Sequence, residues 1–142
     1  MFQISKYDFS IKKQIQNPKK IYFIDHALVS RLGFRFSENH GRLLENLVFI
    51  ELRRRGKEVW YHHGKHECDF IIRTEETVTE AIQVCYSLSE EAVRKRELTG
   101  LTEAMQCYKL KHGTILTREE QEEIKIDGLV ISIVPIAGWL LE

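Results

Sequence analysis

Three short segments rich in β-branched and aromatic residues follow one another directly after a single amphipathic helix. That order constrains the fold more than any other feature of the chain. EVWYHH (58–63), ECDFIIR (67–73) and EAIQVCYSL (80–88) read as strands. Gly64 and the stretch TEET supply the turns, so an antiparallel meander is expected. Ahead of it, Leu43, Leu44, Leu47, Val48 and Leu52 share one face of a helix from about 42 to 55. Asn39 is its candidate cap, and Gly56 suits the left-handed position after its last turn. Arg53, Arg54 and Arg55 complement the negative end of its dipole. Behind the meander, Ser87 and Glu90 form a capping-box pattern. It opens a helix to about Lys109, with Val93, Leu101, Ala104, Met105 and Tyr108 inward and Gly100 in its interior.

HGTILT is the next strand, EIKIDGLVISIVPI a hairpin turning at Asp127-Gly128, and AGWLLE a short closing helix or turn. The connection from the third strand through the long helix to the fourth is long enough for a crossover. The expected architecture is therefore α/β: a mixed sheet holding a three-strand meander, flanked by helices, with an extra C-terminal hairpin. Upstream, Asn17-Pro18 marks a turn, IYFID reads as a short strand, HALVSRLGF as a short helix and RFSENHG as a loop. Residues 1–40 hold elements but no core of their own. They read as a connecting segment at the end of a preceding region, with the domain proper at 41–142.

The chain has 142 residues, enough for one domain. Its longest apolar run, LVISIVPIAGWLL, is too short to span a membrane, and no secretory signal pattern opens the sequence. The three cysteines are odd in number and lack C-x-x-C spacing, which fits reduced thiols. The expectation is a cytoplasmic chain without a membrane partner. Net charge is zero, which excludes a bulk polycation. The distribution is uneven: Met1–Gly56 carries 11 basic and 5 acidic residues, the remainder 10 and 16. The two halves either attract each other in the fold or leave a local basic face for a partner.

No Walker A loop is present: Gly64-Lys65 is followed by His66, and no Gly lies five residues earlier. The chain alone is not expected to hydrolyse ATP. G-x-G-x-x-G, H-E-x-x-H and G-x-S-x-G are also absent. Simple alternation on ECDFIIR puts Cys68, Phe70 and Ile72 on one face, with Glu67, Asp69 and Ile71 on the other. On the next strand it groups Ala81, Gln83 and Cys85, opposite Ile82, Val84 and Tyr86. An Asp on one strand and an acidic or amide oxygen on its neighbour can hold a hard cation such as Mg²⁺.

These segments carry a resemblance. GRLLENLVFIELRRRG, EVWYHH, ECDFII and AIQVCYSL together resemble the C-terminal domain of unknown function that follows the ATPase module in many bacterial and archaeal AAA-type ATPases. That domain has the PD-(D/E)XK, or restriction-endonuclease-like, fold. The likeness runs from about Lys19 to Glu142 and agrees with the element order above. The family pattern has a Gly-x-hydrophobic-hydrophobic-Glu-Asn helix, a Glu-Val-Asp-Phe strand and a Glu-Val-Lys strand. Glu45 stands at the helix glutamate and Asp69 at the strand aspartate. Gln83 stands where the second acid belongs and Cys85 where lysine belongs, and these two are departures.

The resemblance implies a catalytic set of Glu45, Asp69 and Gln83, with Asp69 and Gln83 on a Mg²⁺ ion and their side chains on the same side of the sheet. The lysine's role is then open to Lys65, Arg73 or Lys95. Arg53, Arg54, Arg94, Lys95 and Arg96 are candidate nucleic-acid contacts or solvated helix faces. Glu51 is read as paired with Arg54 or Arg55. His62, His63, His66 and Cys68 are either a metal cluster or a hairpin tip.

The leading expectation is an accessory domain of a P-loop ATPase, a degenerate nuclease-like module recognising DNA or a protein with little or no cleavage. An active Mg²⁺-dependent nuclease and a pure interaction or oligomerisation module are the alternatives. A basic groove over Asp69 would favour the nucleic-acid readings.

Overall fold

The computed structural model describes residues 1–23 and 38–142. The end of the expected IYFID strand, the expected helix HALVSRLGF and the first three residues of the RFSENHG loop, with Arg31 and Arg35, lie outside the described residues. Two sheets are formed. β1 (Phe2–Ser5) and β2 (Lys19–Tyr22) pair antiparallel, with α1 (Ile11–Gln16) between them in sequence. The larger sheet has six strands. β3 (Glu58–His63), β4 (Glu67–Thr74) and β5 (Thr77–Val84) form the expected antiparallel meander. β6 (His112–Thr117) joins β5 in parallel, and β8 (Leu129–Pro135) joins β6 in parallel. β7 (Glu122–Ile126) closes the outer edge against β8, giving the order β3-β4-β5-β6-β8-β7.

The helices lie on opposite faces of this mixed sheet. On one side α2 (Glu38–Arg54) buries Val48, Phe49 and Leu52 against Phe70, Ile72, Ile82, Val84 and Leu116. α4 (Ile136–Leu140) adds Ile136 and Trp139 to the same cluster. On the other side α3 (Glu91–Cys107) buries Leu101, Ala104 and Met105 against Cys68, Ile71, Ala81, Cys85, Ile115, Ile131 and Ile133. β5, α3 and β6 make the crossover. The β7–β8 hairpin turns at Asp127 (φ 50°) and Gly128 (φ 77°), the two left-handed residues that an Asp-Gly turn supplies.

Some local expectations give way. α2 begins at Glu38, so Asn39 is inside the helix, and the boundary expected between residues 40 and 41 falls within its first turn. Described residues before it contribute to both cores. Ile4 and Tyr22 belong to the α2-side core and Tyr7 to the α3-side core. The Ser87–Glu90 capping box does not form. Glu90 is the N-cap of α3, while the Ser87 hydroxyl bonds Glu120 Oε1 at 2.8 Å. Glu51 behaves as read: it accepts from Arg54 at 2.7 Å and from Arg55 at 2.6 Å. Arg55 also donates to the Trp139 carbonyl at 2.7 Å, tying α2 to α4.

Gly100 lets α3 press onto the meander. A Cβ there would lie 2.2 Å from the Glu67 carbonyl oxygen, which is backbone and cannot swing aside. Alanine gains up to about 1 kcal/mol in helix propensity over glycine. Overpacking against a fixed strand costs about 1–3 kcal/mol. The clash is expected to win, so G100A should lower the urea midpoint; an unchanged or raised midpoint would show that α3 is free to lift from β4.

Candidate functional site

The site lies where β2, α2 and β4 meet. α2 turns Glu45 to the side that carries Val48, Phe49 and Leu52, since these positions follow at helical spacing. β2 brings Lys20 and Tyr22 to one side by two-residue alternation. The Tyr22 ring stacks on Phe49 at 4.3 Å between centroids, and its hydroxyl donates to Glu45 Oε1 at 2.6 Å.

β4 departs from simple alternation at this point. His62 pairs with Cys68 and Trp60 with Ile71, so Asp69 and Phe70 together oppose Tyr61 in a β-bulge. The bulge shifts the pattern. Cys68 goes to the α3 side with Ile71, whereas Phe70 and Ile72 go to the α2 side. Glu67 and Asp69 reach Lys20 on the α2 side as well. The expected grouping of Cys68 with Phe70 and Ile72 is thereby corrected.

Lys20 is the centre of the cluster. Its Nζ lies 3.1 Å from Asp69 Oδ1 and 3.4 Å from Glu45 Oε1, and it also contacts Glu67 Oε1. Burial alone would push this ammonium's pKa down, but attraction to Asp69, Glu45 and Glu67 outweighs burial and raises it. Asp69 is pushed up to about 7 by burial first and by the Glu45 charge second, with Lys20 opposing both. Its second oxygen, Oδ2, accepts the Val84 backbone N–H at 3.0 Å.

Gln83 points elsewhere. Its neighbours Ile82 and Val84 face α2, while Ala81 and Cys85 face α3. The Gln83 amide donates to Glu97 of α3, and its Oε1 accepts the Asp69 backbone N–H at 2.8 Å. Asp69 and Gln83 line the same groove, but the carboxylate is engaged by Lys20 and the amide by Glu97. The carboxylate serves one face of the sheet and the amide the other. Cys85 lies on the α3 side, and burial pushes its thiol up to about 11, so it offers neither a cation nor a thiolate at neutral pH.

A Mg²⁺ ion asks for an octahedron of oxygens at about 2.0–2.1 Å. The donors here do not fit one. Asp69 Oδ1 and Glu45 Oε1 already bond Lys20, Asp69 Oδ2 bonds Val84, and Gln83 Oε1 bonds Asp69. Among the described residues no three His, Cys, Asp or Glu side chains are placed to hold a metal. Of the expected lysine substitutes, Arg73 pairs with Glu58 and Lys95 stands outside the groove, while Lys65 is on its lining. Lys20 was missed in the sequence. The available signal was its two-residue spacing from Tyr22 at the start of an apolar strand.

An open groove runs over this cluster from Gly41 and Arg42 to Arg96 and Glu97. Among the described residues its charged lining is five carboxylates (Glu45, Glu67, Asp69, Glu90, Glu97) against Arg42, Lys65 and Arg96. Of the candidate nucleic-acid contacts only Arg96 is on it, and Arg96 is paired with Glu97 at 2.9 Å. Arg94 bonds Glu122, Arg54 bonds Glu51, and Arg53 lies over the Phe2 ring near the far end of α2. Among the described residues, carboxylates outnumber basic side chains over Asp69 even with Lys20 included, so no basic groove forms there.

The domain of unknown function family DUF4143 matches residues 40–139. The chain belongs to this family. An uncharacterised protein of Methanocaldococcus jannaschii is 38% identical over 94% of the chain, and one of Haemophilus influenzae is 29% identical over 99%. The chain spans about a third of the length of these relatives, 32% and 33% respectively. Within the DUF4143 match lie Glu45, Glu67 and Asp69; Lys20 and Tyr22 precede it. Among the described residues, no helix of this DUF4143 chain is long and apolar enough to cross a membrane.

The histidines at the β3–β4 turn form a separate bridge to α3. Ionised Glu103 accepts from His62 Nε2 at 2.9 Å and from His66 Nδ1 at 2.8 Å, and His62 Nδ1 lies 2.8 Å from the Tyr108 hydroxyl. His63 leans instead toward Glu67, and Cys68 Sγ points at the Ile82 carbonyl. The four expected metal ligands diverge. Burial acts to raise Glu103, but hydrogen bonds from both histidines outweigh it and hold the carboxyl down to about 2. A carboxyl with a depressed folded pKa stabilises the fold above its unfolded value, near 4.5, and that contribution is lost as pH falls toward 2. E103Q is therefore expected to flatten the acid limb of the melting-temperature profile between pH 5 and 2. An acid limb as steep as in the parent protein would contradict this role.

Proposed function

We propose that this chain is an accessory domain of a P-loop ATPase, built on a PD-(D/E)XK nuclease-like scaffold that recognises a protein partner and does not cleave DNA. The single observation that carries the reading is the division between Asp69 and Gln83. With the carboxylate facing Lys20 and the amide facing Glu97, no shared cation holds a scissile phosphate. Metal-assisted phosphodiester cleavage requires a held cation, an activated water and stabilised charge at the phosphate. The mixed sheet with its meander, crossover and flanking helices supports the scaffold assignment. Relatives about three times as long leave room for an ATPase module outside this chain.

Charge favours a protein over DNA. Nucleic-acid affinity comes chiefly from basic residues that neutralise phosphates and release counterions. Among the described residues the groove's five carboxylates face Arg42, Lys65, Arg96 and the Lys20 ammonium, so it offers a phosphate backbone no net positive charge and leans toward a cationic segment. The chain should therefore leave plasmid and single-stranded DNA intact with Mg²⁺ or Mn²⁺, and give no DNA gel shift at physiological salt. Cleavage that is robust in the parent and abolished in D69A would replace this reading with an active nuclease. Salt-sensitive DNA retention without cleavage would replace the protein partner with DNA.

A further inference from the structure

We propose that the Lys20 ammonium is the resident cation of this site, a tethered charge standing where the nuclease-like resemblance implies a divalent metal. The inference rests on the non-cleaving reading of the groove and adds what holds its acids together. Three carboxylates reach one nitrogen from two elements of the main domain. Glu45 comes from α2, and Glu67 and Asp69 come from β4 on either side of Cys68. Such convergence of carboxylates in a partly buried place favours a cation, because unpaired buried charge is strongly unfavourable and is otherwise relieved only by protonation. Lys20 meets that need with three donors and no acceptor, which matches acceptor-only neighbours.

The delivery is rigid. β2 pairs with β1 through four residues, from Phe2↔Tyr22 to Ser5↔Lys19. The Tyr61 hydroxyl donates to the Pro18 carbonyl two residues before Lys20. Tyr22, two residues after it, is 4% exposed and stacked on Phe49. The Lys20 backbone therefore cannot move away without taking Tyr22 out of the α2-side core, and only a change of side-chain rotamer withdraws the ammonium. A metal ion in the same place would meet the ammonium at contact distance and be repelled. The bulge at Asp69–Phe70 belongs to the same device. It brings Asp69 to the α2 side together with Phe70, so the acid meets Lys20 while the strand continues its packing.

The test is Mn²⁺ binding by electron paramagnetic resonance, with melting temperature as a second readout, on the parent chain, K20M and K20M/D69N. The parent is expected to leave millimolar Mn²⁺ free and to melt at the same temperature with or without it. With the ammonium gone and the Glu45, Glu67 and Asp69 carboxylates free to turn toward one point, K20M is expected to melt several degrees lower without metal, to take up a single Mn²⁺, and to recover much of the loss. K20M/D69N should bind at least tenfold more weakly than K20M. Uptake of Mn²⁺ by the parent, weakened in D69N, would overturn the inference, as would a K20M that melts like the parent and binds no metal. The parent titration decides the question by itself if K20M does not fold. Neither readout involves DNA or a protein partner, so this inference and the recognition reading fail separately.

Discussion

The contact between the Lys20 ammonium and the carboxylates of Glu45, Glu67 and Asp69 joins three parts of the molecule, with Asn46 of α2 also bonding the Phe23 backbone just after β2. α2 and β4 belong to the main domain, and β2 belongs to a small separate sheet. With three acids and one base, the cluster is short of positive charge. Asp69 registers the shortfall: burial and the neighbouring Glu45 push its pKa up to about 7. Replacing Lys20 by a neutral residue would leave the acids to repel one another, and breaking a buried pair this way typically costs about 3–5 kcal/mol. Lys20 is 21% exposed at its side chain, so solvent screening places the cost below that range.

The sheet follows from the same economy of faces. The meander lies between α2 and α3, so the middles of β4 and β5 are apolar on both faces and polar residues gather toward the strand ends, one of them beside the groove. There the polar residues part company by face. Asp69 and Glu67 join Lys20 on the α2 side, and Gln83 joins Glu97 on the α3 side. What crosses the sheet plane is backbone: Asp69 N–H to Gln83 Oε1, and Val84 N–H to Asp69 Oδ2. These two bonds fix the geometry of a site whose acids are committed before any ligand arrives. On the proposed reading, that commitment is what separates a recognition surface from a cleavage centre.

Periodicity made the large elements readable. The Leu47–Val48–Leu52 face, the meander and the Asp127-Gly128 turn are local patterns, and each is set by contacts or dihedrals within a few residues. The Glu51 pairs with Arg54 and Arg55 were legible for the same reason, being one turn apart. The site was less so. A bulge adds one residue to a strand and inverts the faces expected beyond it, and the ECDFIIR pattern carries no glycine to announce it. Lys20 is 49 residues from Asp69 in sequence, so only the tertiary fold brings them together. Gln83 and Cys85 were recognisable as departures from the family pattern, but the direction of Gln83 was not, because it depends on α3 presenting Glu97.

The most direct measurement is an anomalous difference map from crystals of the chain soaked in Mn²⁺. The expected result is no peak among Glu45, Glu67 and Asp69, with Lys20 Nζ within hydrogen-bond reach of Asp69 and Glu45. A peak at about 2.0–2.3 Å from Asp69 and Glu45 oxygens, with the Lys20 side chain turned away, would contradict the account.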